Sequence, residues 1–577
     1  MAMHTEVETL LAQVQNAPGF QQLRALRGDI EDDSDTLGAM ISEALRFSRE
    51  RLSPFDTGAD RSGCRLEHGR VILAPDHKTR WDEFRDAGWT ALDIDAEYGG
   101  AGLPRIFAVA VQECFDRGSV CFGMVPGAAR AAARLLKAHA NPATAQTWIQ
   151  KFASGEWGAT ICISEAGAGS DVGRIRTSAR RDEAGRWTLF GEKMWISYAD
   201  HDLTERIGHI VLARPEGAVA GARGLSVFLV PSVSEAPDGT LIRNGLVVRR
   251  IEEKLGLHGS PTCVLGLEDA QAELIGIEGR GVAQLFSMIV AMRLQVGTQG
   301  LGLAEASFEA SARYARERRQ GGPWNAPPVP IAAHADVQLT LMRMASRIAT
   351  LRGIVYAGAI AGDLADAQSD SENKIRASLL QAWLLPIIKN TGAETAFDAA
   401  ADAILLFGGA GYTKEWPVER YLRDSRILGI YEGTAGMQAL DLVGRRWRVP
   451  HSGYETFVEC VTADIASAPG ASSKPLQSAL GSLQEACQWL RDPARQEWQI
   501  AAASRAMLTL ATETAHGWIG TRLAAMPVTN AATERLAACG RFAVSIMIEK
   551  IAAARVALSE TSNRKKNCEE FGFDTAD

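Results

Sequence analysis

With 577 residues, 46% of them hydrophobic and 23% charged, the chain has ordinary globular composition and length for two to four domains. A net charge of −8 excludes a general attraction to nucleic acid or to anionic membranes. The nine cysteines are dispersed without a CxxC pair, and no basic stretch followed by an apolar core stands in "MAMHTEVETL". No apolar run approaches membrane-spanning length, so reduced thiols, no membrane segment and a cytoplasmic protein are expected.

Residues 1–155 read as helical. In "DTLGAMISEALRFSRERL", Leu37, Met40, Ile41, Ala44 and Leu45 recur at helical spacing after Asp35, a plausible cap. The period changes over 156–277. "RWTLFGEKMWIS", "HIVLARP", "GLSVFLVP" and "CVLGLEDAQAEL" are short apolar stretches between Gly, Pro and Asp, as in strands of an antiparallel β domain. Helices return over 278–450, where Val337, Leu341, Met344, Ile348, Leu351 and Val355 form one stripe. "PHSGY" and "SAPGASSKP" interrupt the pattern, an Ala-rich helical segment occupies the rest of 451–577, and the tail "TSNRKKNCEEFGFDTAD" is expected to be loose. The fold class is α+β, mostly α: a helical domain, an antiparallel β domain, a helical bundle and an added helical domain.

Metal binding has little support, with ten His, no HExxH and no clustered Cys; no GxSxG elbow marks a serine hydrolase. "EYGGAGLP" and "FGGAGY" fit neither GxGxxG nor GxxxxGK[ST], which disfavours a Rossmann or P-loop site. "ICISEAGAGSDVGRIRT" and "GEKMWISYAD" say more. Ser164, Ser170 and two Gly share a turn-rich loop, and Trp195 and Ser197 follow a strand. Small residues allow close backbone approach, hydroxyls satisfy phosphates or ring heteroatoms, and an aromatic beside a hydroxyl suits a flat heteroaromatic ring. Two ordinary β turns and a core Trp read equally well.

"AEYGGAGLP" (96–104), "ISEAGAGSD" (163–171), "GEKMWIS" (191–197), "KLGLHGSPTC" (254–263), "RERRQGG" (316–322) and "LFGGAGYTKEWPVERYLRDSRILGIYEGTAG" (406–436) run in one order through most of the chain. As a collinear set they resemble the acyl-CoA dehydrogenase family. "SPFDTGADRSGCRLEHGRV" and "HGSPTCVLGLEDA" are similar to its long members with a C-terminal helical extension, the group containing 3-methylmercaptopropionyl-CoA dehydrogenase. The resemblance implies a four-helix C-terminal bundle, FAD, and dehydrogenation of an acyl-CoA to the trans-2-enoyl-CoA. Glu432 falls on the family's base position and would remove the α proton, while flavin N5 accepts the β hydride that no side chain can take. Gly433 leaves room for the thioester, whose oxygen would be held by the Glu432 backbone N–H and a flavin ribityl hydroxyl. Arg293 would order the loop bearing the base. Ser164 and Ser197 would bond the flavin, with Trp195 against its ring. Ser170 would lie by the pyrophosphate or CoA entrance. Arg318 and Phe407, Gly408 and Gly409 would reach the FAD of a neighbouring subunit, and Thr434 and Gly436 would line FAD. Those cross-subunit contacts imply a homodimer, and the resemblance implies an electron-transfer flavoprotein as acceptor.

Some members place their base on an earlier helix, but Met292 occupies that position here. Leu405 and Gly436 stand where many members have Gln, and "GPWNAPPVP" lengthens a turn that is compact in short members. A same-fold oxidase and a DNA-associated flavoprotein resembling the alkylation-response type are the alternatives. Glu in place of Asp at 432 argues against a nitroalkane oxidase, and a slightly acidic 451–577 argues against DNA.

Overall fold

The computed structural model describes residues 3–28, 33–236, 238–467 and 473–571. By contact the chain divides into two units: Arg46–Pro104 with Cys114–Gln295, and Met1–Leu45 with Arg105–Glu113 and Val296–Asp577. The first is called the sheet unit and the second the bundle unit.

In the sheet unit seven strands form one sheet: β1 Trp157–Cys162, β2 Ser178–Arg181, β3 Trp187–Ser197, β4 Arg206–Pro215, β5 Ser226–Pro231, β6 Leu246–Ile251 and β7 Thr262–Ile275. Their order is β6-β7-β3-β2-β4-β1, with β5 bonded to both β7 and β4. The sheet is mixed rather than wholly antiparallel, because β1 and β2 each pair with β4 in parallel. Parallel neighbours need a long crossover connection. The chain between β1 and β4 supplies one for the outer pair, and it includes the "ISEAGAGSD" loop. One face of β1, β4 and β5 packs against the helices Val120–His139 and Pro142–Ala153 through a cluster containing Leu135, Trp148, Ile149, Ile210, Val227 and Leu229.

Three histidines are sealed into this unit, His77, His201 and His209, and burial holds each near a pKa of about 3. His209 Nδ1 shares a 2.7 Å hydrogen bond with the Thr160 hydroxyl. In the unfolded chain each would take up a proton near pH 6.5, so unfolding binds protons between the two values and stability is lost as pH falls. Each histidine contributes at most about 1.4 kcal/mol per pH unit over that window. The thermal midpoint is therefore expected to be flat from pH 8 to 7 and to fall steeply from pH 6 to 5. A midpoint unchanged down to pH 5 would contradict this account.

In the bundle unit, the helix Asp33–Phe47 buries Leu37, Ile41, Ala44 and Leu45 as its spacing requires, with Met40 only partly covered. It begins before Asp35, which is therefore inside the helix and not its cap. The helix Ala335–Ala367 buries Met344, Ile348, Leu351 and Val355, but from Ile348 to Ala365 every residue is buried, not one stripe. The helix Ser371–Phe407 packs on it, and so do Glu497–Ala525 and Ala531–Ser559 from the C-terminal extension. Ala335–Ala367 is the one described helix with the length and composition to cross a membrane, and its apolar window lies wholly inside the protein.

Polar contacts join the extension to the bundle as well. His516 bridges the Thr350 hydroxyl (2.7 Å) and the Thr391 hydroxyl (2.8 Å). Glu513 accepts two bonds from Arg347, at 2.7 and 2.9 Å. The tail read as loose is helical over Thr561–Glu570, and the remainder of that reading, residues 572–577, lies outside the described residues.

Candidate active site

Within the sheet unit, one buried lysine organises two of the sequence motifs. Lys193 Nζ on β3 donates to Ile163 O (2.9 Å), to Leu212 O (2.7 Å) and to Glu165 Oε1 (2.8 Å). All three ammonium protons are thus used, which is what makes a fully buried lysine tolerable. Glu165 also accepts from Arg176 N (2.7 Å), Thr177 N (3.0 Å) and the Thr177 hydroxyl (2.6 Å). Burial pushes this carboxyl up, but Lys193 and these donors outweigh it and hold Glu165 below the usual carboxylate range.

Ser164 lies between these two anchors, and its carbonyl accepts from Met194 N at 2.9 Å. The loop carrying Ser164 and the strand carrying Trp195 and Ser197 are therefore locked together. Ser164 and Ser197 are partly buried and Ser170 is exposed. Trp195 is 57% exposed and has a positive φ of 65°. A bulky aromatic held in the left-handed region and left outside the core is an unusual placement. It is not the core Trp of the plainer reading. Arg293 is partly buried on the helix Phe286–Glu317.

Within the bundle unit the "IYEGTAG" segment is held as firmly. Glu432 and Gly433 are successive left-handed residues, at φ 53° and 92°. Lys389 Nζ donates to Gly433 O at 2.5 Å, and Gln438 Nε2 donates to Glu432 O at 2.9 Å and to Gly433 O at 3.3 Å. The preceding Tyr431 hydroxyl donates to Gln299 Oε1 at 2.5 Å. A Cβ on Gly433 would meet Gln438 Nε2 at 2.8 Å in a backbone conformation that side chains disfavour, so glycine is required twice over. The helix after the acid starts at Ala435, with the Thr434 hydroxyl accepting from Met437 N as its cap. Glu432 is thus outside the helix and not a first-turn residue. Glu432 sits on a strained, clamped backbone and is as a residue partly buried.

Elsewhere in the bundle unit, the Phe407 ring packs inward. The ring is buried with Ala310, Ala403 and Val418, stacked on Tyr314 at 4.0 Å between centroids. Its carbonyl accepts from the Tyr314 hydroxyl at 3.4 Å, and the Arg318 backbone N–H donates to Tyr314 O at 2.7 Å. That cluster anchors the exposed Gly408, Gly409 and Arg318 to a common base. Thr434 and Gly436 are exposed beside Glu432.

Three family models match this chain in order: the acyl-CoA dehydrogenase N-terminal domain over 34–156, the middle domain over 160–270 and the C-terminal domain over 279–447. A 3-methylmercaptopropionyl-CoA dehydrogenase of Ruegeria pomeroyi is 36% identical over 452 residues, 77% of this chain and 76% of that protein. The chain belongs to the acyl-CoA dehydrogenase family.

A broad-specificity linear acyl-CoA dehydrogenase of Mycobacterium tuberculosis is 32% identical over 73% of this acyl-CoA dehydrogenase and 71% of its own length. Among solved structures, Caenorhabditis elegans ACDH-11 in complex with C11-CoA superposes with a TM-score of 0.78 at 21% identity, covering 96% of this chain and 94% of that one. A Bacillus anthracis acyl-CoA dehydrogenase complexed with FAD gives 0.75 at 21% identity, over 92% and 88%. This acyl-CoA dehydrogenase is an FAD-dependent oxidoreductase that acts on acyl-CoA. Its sheet unit suits the flavin: an exposed indole and one hydroxyl at the end of β3 and a second hydroxyl on the adjoining loop are tied together by a buried ion pair.

Sequence reading missed Lys193, Glu165, Lys389 and Gln438. One signal was available, a lysine within an otherwise apolar helix stretch, "WLLPIIKNTG". The partners of such a lysine are distant in sequence and carry no local pattern.

Proposed function

We propose that Glu432 is the base that takes the α proton of an acyl-CoA thioester, giving the trans-2-enoyl-CoA. The strained backbone of Glu432, held at both carbonyls, is the observation that carries this reading. A carboxylate on a fixed backbone, with no adjacent side chain at 433, suits close approach to a substrate carbon. Its backbone N–H is assigned to the thioester oxygen, where it would stabilise charge developing as the proton leaves. FAD, when bound, supplies the hydride acceptor for Cβ. On this reading Ser164, Trp195 and Ser197 hold and orient the flavin ring, Ser170 lies toward the pyrophosphate or the CoA entrance, and Thr434 and Gly436 line the cofactor. Arg293 orders the loop of the base.

The acceptor on this reading is an electron-transfer flavoprotein. The assembly is a cytoplasmic homodimer in which Arg318 and the segment Phe407, Gly408 and Gly409 reach the partner's cofactor. Leu405, 78% exposed, and Tyr412, 86% exposed, flank that glycine pair and support an interface there. Nine free cysteines support a reducing compartment. The test is anaerobic mixing of the yellow protein with a panel of acyl-CoAs, followed by air or by electron-transfer flavoprotein. Bleaching that only the flavoprotein reverses at a useful rate is the expected result. Rapid recovery in air would make the protein an oxidase, and no bleaching with any acyl-CoA would end the proposal.

A further inference from the structure

Lys389 is 0% exposed, on the helix Ser371–Phe407, with Trp383, Leu384, Leu385, Ile387 and Ile388 buried in the turns before it. A methionine or leucine would fill such a position with less loss of hydration, since buried ammonium groups are rare and costly. Instead the side chain crosses to the catalytic segment, and Nζ donates to Gly433 O at 2.5 Å. Gln438 approaches the same carbonyl from the helix Ala435–Asp441 and also holds Glu432 O. The Gln438 amide is fully buried, and its Oε1 has no hydrogen-bond partner among the described residues. Leaving a buried oxygen unsatisfied is unfavourable, so this side chain is not placed for its own stability. Both of its donor contacts go to the two residues with left-handed backbone.

We propose that Lys389 and Gln438 form a clamp that positions Glu432 for proton removal. Lys389 is the principal member and acts through the backbone of 432–433. This rests on the assignment of Glu432 as the base. The physical reason is that Glu432, a non-glycine residue at positive φ followed by a freely rotating glycine, relaxes toward the commoner regions unless the carbonyls of 432 and 433 are held. Rotation of that peptide would swing the carboxylate by an ångström or more, enough to cost roughly a hundredfold in rate.

The experiment is stopped-flow bleaching of the FAD-loaded holoenzyme by saturating acyl-CoA, for Lys389→Met, Gln438→Leu and the double variant. Lys389→Met is expected to lower the limiting bleaching rate by roughly ten- to a hundredfold, with FAD content unchanged and substrate affinity within about threefold. Gln438→Leu should lose less, and the double variant should be no slower than Lys389→Met, because both residues hold one peptide. A merely structural lysine would lower the melting temperature and FAD content while the loaded fraction bleached at the normal rate, and that result overturns the proposal. If Lys389→Met does not fold, Gln438→Leu decides: a normal limiting rate overturns the clamp, and a reduced rate at full FAD content upholds it. Glu432→Gln separates the two readings. If it bleaches normally, the base assignment is wrong. If it is slow while Lys389→Met is normal, the clamp alone fails.

Discussion

Glu432→Gln is expected to leave the purified protein yellow and to slow anaerobic bleaching by an acyl-CoA by about 10²- to 10⁴-fold. The substitution keeps side-chain length, the left-handed backbone and the carbonyls held by Lys389 and Gln438, and removes only proton affinity. FAD content should be normal because the carboxylate is assigned to substrate and not to the cofactor. Glu432→Asp, one methylene shorter on the same clamped backbone, should fall between the two, since reach and not chemistry has changed. The measurement is flavin absorbance against time at saturating substrate, with FAD quantified after denaturation. Bleaching of Glu432→Gln at the normal rate would move the base elsewhere in the chain.

Arg352→Met is expected to cost about 3–5 kcal/mol of stability in the bundle unit without any direct effect on chemistry. Arg352 is buried on the helix Ala335–Ala367, with Nε donating to Glu113 at 2.9 and 3.2 Å, Nη1 to Gln13 Oε1 at 2.7 Å and Nη2 to Glu305 Oε2 at 2.7 Å. The Tyr356 hydroxyl gives Glu113 a further bond at 3.0 Å. One guanidinium thus joins the first helix, Met3–Asn16, to three others. Planar, permanently charged and with five donors, it suits that junction better than lysine would. Removing it leaves the Glu113 carboxylate buried and without its main counter-charge. Glu113→Gln in the same chain should recover part of the loss, because a neutral amide tolerates the site that the bare carboxylate does not. Thermal and urea unfolding would show both effects. A midpoint within a degree of the parent for Arg352→Met would contradict the account.

These two residues differ in how legible they were. Glu432 stood in the motif "IYEGTAG", which falls on the base position of the family that the chain resembles. Nothing around Arg352 marks it, because its partners lie at 13, 113 and 305, and the pairing exists only once four helices are packed. Asp35 shows a milder case: an acid before an apolar stripe reads as a cap, yet the helix begins before it. Phe407, expected with its glycines at a neighbouring subunit's FAD, also packs its ring on Tyr314 and Trp416, contacts that no local pattern announces.

Taken alone, the sequence determined the order of helical and strand segments, the family and hence FAD, and the acid proposed as base. The first depends on local period, and the others on a resemblance carried by short motifs in one order, all of which survive without knowledge of packing. Only the tertiary structure decided that two pairings in the sheet are parallel, that the extension helices pack on Ala335–Ala367, and that Lys193 and Lys389 hold the two motif-bearing segments. Each of these is a pairing across long sequence separation. In such a pairing the gain comes from burying an apolar face or satisfying a buried charge, and neither partner alone shows where the other will be.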